Sequence, residues 1–164
     1  MFIINNPDIE QAKKGGKWFE RDWFGSTLSM KIRANTENAT KSIKDRFKGM
    51  KDGKKKDDSI FEAVYDYLLE DFGVVNPKTG EIEPIAERLP DGSIKIMEVN
   101  IVNKKKFLFM PPPIGEENNY IFITNKANEL AYEVREEEVK NLNPSPSITA
   151  AAGDNLQETS PLQG

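Results

Sequence analysis

The sequence predicts an α+β domain, mainly helical, in which three principal helices pack on a small antiparallel sheet. Three observations carry this. Ile60, Phe61, Val64, Leu68 and Phe72 recur at the three-to-four-residue interval that lines one side of a helix. Leu28, Met30 and Ile32 alternate with Ser29, Lys31 and Arg33, and Ile94 and Ile96 alternate with polar neighbours, which is the repeat of strands with one buried face. Asn76-Pro77-Lys78-Thr79-Gly80 and Asp91-Gly92 are turn strings, in which proline presets one backbone angle and glycine supplies a positive one. The sheet is expected from residues 18–23, 28–33 and 94–101, and the helices from 36–50, 59–72 and 125–142.

Residues 1–16 read as an N-terminal arm. Phe2, Ile3 and Ile4 precede any positive charge and Asn5, Asn6 and Pro7 break the run, which is not the order of a secretory signal. A cytoplasmic protein is therefore expected. Residues 17–142 read as one globular domain. Its first segment carries Trp18, Phe19, Trp23 and Phe24, with Gly25-Ser26 as a hairpin turn before the strand of Leu28, Met30 and Ile32. Aromatic rings beside Lys and Arg also suit a nucleic-acid stacking platform. In a chain poor in other large apolar residues, core or interface anchors are the plainer role for the two tryptophans.

From Asn35 or Thr36 a helix can start, with Ala39, Ile43, Phe47 and Met50 inward and Lys41, Lys44 and Lys48 outward. The charged string 51–58 offers nothing to bury and reads as a solvated loop, its lysines followed at once by aspartates. The central helix is expected to be capped by Asp58 or Ser59 and ended by Gly73. After the strand at Ile94 and Ile96, Lys104, Lys105 and Lys106 precede Phe107, Leu108 and Phe109, read as a strand and a loop. Pro111, Pro112 and Pro113 then impose an extended spacer. Tyr120 and Phe122 lead into a helix capped by Thr124 or Asn125, whose stripe of Ala127, Leu130, Ala131 and Val134 packs only its first half. Residues 143–164, rich in Pro, Ser, Ala, Gly and Thr, read as a disordered tail.

Composition closes off most chemistry. The chain of 164 residues has no cysteine and no histidine, so disulfides, thiolate zinc sites and imidazole bases are unavailable. Carboxylates, lysines and hydroxyls remain, and they can build a Mg²⁺ site or a Ser–Lys pair, but no motif arranges them so. A non-enzymatic protein with no cofactor and no metal is expected. No apolar run approaches the roughly 20 residues of a membrane span. Charge is uneven: residues 1–56 hold 14 Lys and Arg against 7 Asp and Glu, a net of +7. Residues 57–164 hold 9 against 20, a net of −11, which together make the net −4. Such asymmetry can steer a partner or another copy of the chain, and also describes two faces of one solvated domain.

Several strings in this order carry a resemblance. Trp18-Phe19 precedes Lys31-Ile32-Arg33 and a lysine-rich helix; an acidic amphipathic helix then runs into Asp71-Phe72-Gly73-Val74-Val75 and the turn Lys78-Thr79-Gly80-Glu81, and an acidic helix closes the domain. Over residues 17–142 this resembles the small tail-assembly chaperones of long-tailed bacteriophages and prophages. Phe72 stands where that family often has a tryptophan, and the segment 88–113 is longer than in its members. The resemblance implies a non-enzymatic, mostly helical protein of the bacterial host cytoplasm. It would coat the tape-measure protein before the tail tube polymerises, and so have the tape-measure and tail-tube proteins as partners. The tail after Asn143 would fit the frameshifted extension many members carry. Candidate contact residues are Trp18, Phe19, Trp23, Phe24, Phe107 and Phe109. Two other classes use the same composition: a structural tail or head-completion protein kept in the virion, and a nucleic-acid-binding regulator using the basic front half.

Overall fold

The computed structural model describes residues 15–142, so the N-terminal arm up to residue 14 and the tail from 143 lie outside the described residues. The chain opens with a hairpin, β1 (Lys17–Trp23) and β2 (Ser26–Ile32), followed by α1 (Glu37–Asp45) and α2 (Lys54–Leu68). Next come β3 (Leu69–Val75), β4 (Ile82–Glu83), β5 (Ile85–Arg88) and β6 (Ile94–Met97), then α3 (Ile101–Leu108) and α4 (Asn119–Leu142). The strands form an antiparallel four-stranded sheet in the order β1-β2-β3-β4 and a separate hairpin of β5 and β6. The α+β class therefore stands. Four helices are present among the described residues rather than three, and they cover under half of them, so the domain is not mainly helical.

The inner face of the large sheet follows from alternation. Leu28, Met30 and Ile32 point inward as expected, and the register brings Phe19 and Phe72 to either side of Met30. Over this face lie α3 and α4, with Phe107 stacked on Phe72 at 4.5 Å and Ile123, Ala127, Leu130, Ala131 and Val134 of α4 buried. The buried apolar residues from Trp23 to Val134, Ile43 apart, form one cluster. Beyond Val134, α4 is exposed through Lys140, so only its first half packs, as its thinning apolar stripe implies.

The central element departs from expectation at both ends. Its helix starts at Lys54, after Gly53 at the N-cap, so the charged string 54–58 is the first turn of α2 and not a loop. Lysine is a good helix former, and pairs spaced four apart, Lys54 with Asp58 at 2.6 Å and Lys56 with Asp52 at 2.9 Å, hold that turn. Ser59 spends its hydroxyl on the Lys55 carbonyl and caps nothing. At the other end, Leu69 turns extended and residues 69–75 become β3. Leu68 and Phe72 satisfy a helical spacing, but the free edge of β2 offers the backbone ladder bonds. A register shift at Lys31 and Ile32 lets Leu69 and Phe72 both face inward. Gly73 is thus not a helix stop. A Cβ there would lie 2.5 Å from the Glu83 carbonyl oxygen, so glycine is what lets β4 close on β3.

Four further corrections concern the elements and their boundaries. Thr36 does cap α1, its hydroxyl accepting from the Ala39 N–H at 3.2 Å, but α1 ends at Asp45 and Phe47 and Met50 are only half-buried. Strand β6 is four residues long and pairs with β5, not with the large sheet. Residues 101–108, expected as strand and loop, form α3: the Asn100 side chain caps it by accepting from the Asn103 N–H at 2.9 Å, and Lys104, Phe107 and Leu108 make its buried side. The closing helix starts at Asn119, six residues early, capped by Asn118 accepting from the Ile121 N–H at 3.0 Å.

Candidate protein-contact surface

The structure separates the six aromatic candidates. Trp23 and Phe107 are buried in the core and present no contact surface, a correction that follows from the area such rings remove from water. Phe19 is half-buried against the core, with the Lys17 and Lys126 ammonium groups 5.7 and 5.6 Å from its ring centre. Trp18, Phe24 and Phe109 remain open to solvent, at 38%, 69% and 50% of their surface. Alternation explains β1: Phe19, Arg21 and Trp23 share the inner face, and Trp18 stands on the outer one.

Phe24 occupies an unusual position. It is the first residue of the two-residue turn between β1 and β2, with φ of 52°, and Gly25 follows at 83°. Hairpins favour this left-handed pair because its twist matches the strands, and the residues that suit its first position are Asn, Asp and Gly. A phenylalanine there crowds its Cβ against the backbone and is disfavoured by roughly 1 kcal/mol. Among the described residues its ring meets one other ring, the edge of Trp23, at 6.0 Å and 83°. Phe24 is therefore a poor choice for the hairpin and is scarcely used by the core.

Phe109 sits on a built platform. It follows the last residue of α3, and its ring stacks at 5.6 Å on Tyr120 of α4 and at 6.1 Å on Phe61 of α2. Tyr65 lies 4.7 Å from Phe61 and 5.1 Å from Tyr120. The Thr124 hydroxyl donates to the Tyr120 carbonyl at 2.7 Å, so in the 2.6 Å contact between Tyr65 and Thr124 the phenol is the donor. Burial pushes the Tyr65 phenol up to about 12. Two helices, α2 and α4, thus supply the layer beneath Phe109. A groove of about 400 Å³ between α2 and α3 is lined by Glu62, Ile101, Val102, Lys105 and Lys106.

The charges are largely spoken for. Lys104, buried, donates to the Asp66 carboxylate and carbonyl, both at 2.9 Å; Lys105 pairs with Glu62 at 2.9 Å and Lys106 with Glu87 at 3.7 Å. This lysine run is a clamp joining α3 to α2 and β5, with each charge compensated, which makes a poor phosphate footprint. Glu70, in the irregular part of β3, accepts from the Gly16 N–H at 2.7 Å and pairs with Lys31 and Arg33, both at 3.1 Å. Burial alone would raise its carboxyl, but these three donors outweigh it and hold it at about 2.

Sequence reading passed over Arg21, which organises this end of the molecule. Its guanidinium, nearly buried, lies 5.1 Å from the Trp23 ring and 4.8 Å from that of Phe122. It donates to Asn119 Oδ1 at 3.2 Å and to the Glu117 carbonyl at 2.8 Å. One signal was available: by the alternation of β1, Arg21 shares a face with Phe19 and Trp23, and a cation there needs a buried partner.

Among the described residues no group of three or more acidic side chains is placed to hold a metal ion, and no helix is long and apolar enough to cross a membrane. No family model, curated protein or solved structure matches this chain.

Proposed function

We propose that this protein is non-enzymatic and works by binding another polypeptide, and that it serves as a tail-assembly chaperone of a long-tailed phage or prophage. Its partner in this reading is the tape-measure protein, held until the tail-tube protein polymerises around it. The observation that carries the binding role is Phe24. Its ring is open to water and its backbone is in a conformation that favours other residues, so its presence has no account in the fold and finds one in a partner. Phe109, stacked on Tyr120 and Phe61, supplies a second, rigid apolar patch. Exposed rings set among charges suit weak, displaceable contact with the apolar stripe of a long helical chain. The identity of the partner rests on the sequence resemblance.

Co-expression with the tape-measure protein of the same genome tests both parts. The expected result is that the two co-purify, that the tape-measure protein stays soluble, and that Phe24→Asn and Phe109→Asp each weaken the complex at least tenfold. Failure to co-purify overturns the chaperone reading. Recovery of the protein in purified virions points instead to a structural component of the particle.

A further inference from the structure

The β5–β6 hairpin stands apart from the large sheet and uses only one of its faces. On that face Met97 is buried, Ile85 packs against the core, and Glu87 pairs with Lys106. Directly opposed residues of an antiparallel pair share a face. The register therefore sets Ala86 beside Ile96 and Arg88 beside Ile94 on the other side. All four are exposed, Ile94 at 64% and Ile96 at 57% of their surface. Two β-branched aliphatic residues facing water gain nothing for a lone hairpin, which is marginal without a second layer.

Glu98, exposed, follows the last residue of β6, and counting on by twos from Ile94 and Ile96 assigns it to this side. This face thus reads cation, aliphatic centre, carboxylate, with Arg88 and Glu98 about 14 Å apart along the strand direction. Arg88 donates to the Gly92 carbonyl at 3.1 Å, but neither Arg88 nor Glu98 has an opposite charge beside it among the described residues. A pattern of plus, apolar, minus is complementary to itself when turned end for end.

We infer that two copies of this chain associate through this hairpin face about a two-fold axis. Ala86 and Ile96 of one copy pack against the same two residues of the other, with Ile94 flanking them at the end where Arg88 lies and the sheets about 10 Å apart. Arg88 of each copy meets the partner's Glu98. A two-fold contact of this kind is closed and stops at the dimer. One hairpin face is smaller than the roughly 800 Å² per partner of a standard interface, so the dimer is weak and forms with rising concentration. It is independent of Phe24 and Phe109, and stands or falls without the chaperone reading.

Sedimentation of the full chain across a concentration series up to roughly 1 mM, where a weak complex of this affinity populates, tests the inference. The expected result is a mass rising from 18.6 kDa toward twice that value. Ile96→Asp abolishes the rise, as does either Arg88→Glu or Glu98→Arg alone, and combining the two charge reversals restores it. Ile96 is exposed, so circular dichroism of that variant matches the wild type. A mass that stays monomeric throughout overturns the inference. So does one that climbs past the dimer, or a dimer indifferent to the charge reversals.

Discussion

Arg21 and Asn119, 98 residues apart in sequence, meet inside the molecule: the guanidinium donates to the Asn119 side-chain oxygen at 3.2 Å. Asn119, itself fully buried, passes the connection on by donating to the Phe107 carbonyl at 3.0 Å. One chain of polar contacts thereby joins β1, the start of α4 and the end of α3. Replacing Asn119 by leucine leaves a buried cation and a buried carbonyl short of partners, and is expected to destabilise the fold by about 2–3 kcal/mol. Urea unfolding measures this. Adding Arg21→Met to Asn119→Leu should cost less than the two single changes combined, because both remove the same contact.

Glu70 makes the fold acid-sensitive in a defined window. Its carboxyl is held at about 2 in the folded state, against an ordinary value of 4.5. A depressed carboxylate contributes stability that is fully present above the unfolded value and is lost as pH falls through the folded one. Stability should therefore decline between pH 4.5 and 2, by about 3 kcal/mol at most from this group. Thermal melts of Glu70→Gln across that range should be flatter than those of the wild type, and equally steep melts would remove Glu70 from the account.

Phe24 predicts a trade between stability and binding. Asparagine tolerates the left-handed conformation at this turn, so Phe24→Asn should stabilise the protein by about 0.5–1 kcal/mol and raise its melting temperature by roughly 2–4 °C. A variant that melts lower would mean that the ring supports the hairpin and is not held there for a partner.

Phe107 and Phe109, two residues apart, should behave as opposites. Phe107 is fully buried and stacked on Phe72, so Phe107→Ala should cost about 3–5 kcal/mol. Phe109 is half-exposed and loses only its stacking on Tyr120 and Phe61, so Phe109→Ala should cost about 1 kcal/mol or less. Chemical denaturation of the two variants side by side reads the difference.

Some of this was legible in the residues alone. The hairpin of β1 and β2, the inward set Leu28, Met30 and Ile32, the Thr36 cap, both turn strings and the buried stripe of α4 each follow from contacts between near neighbours in sequence. Exposed aromatics were expected, but not which ones: neighbours of Phe107 and Phe109 look alike in sequence, and only the α3 helix turns one inward and leaves the other out. The pairing of the lysines at 104–106 was not legible for the same reason, since their acidic partners Asp66, Glu62 and Glu87 come from elsewhere in the chain.

The amino-acid order by itself determined the α+β class, the local periods and the chemistry that lacks cysteine and histidine, because these depend on side chains within a few positions of each other. Tertiary structure alone decided that residues 69–75 leave the helix and join β2, that Arg21 finds Asn119, and that one face of the β5–β6 hairpin stays uncovered. Each of these is a competition between distant partners, and a local spacing satisfied by both helix and strand yields to whichever arrangement pairs the backbone and buries the most apolar surface.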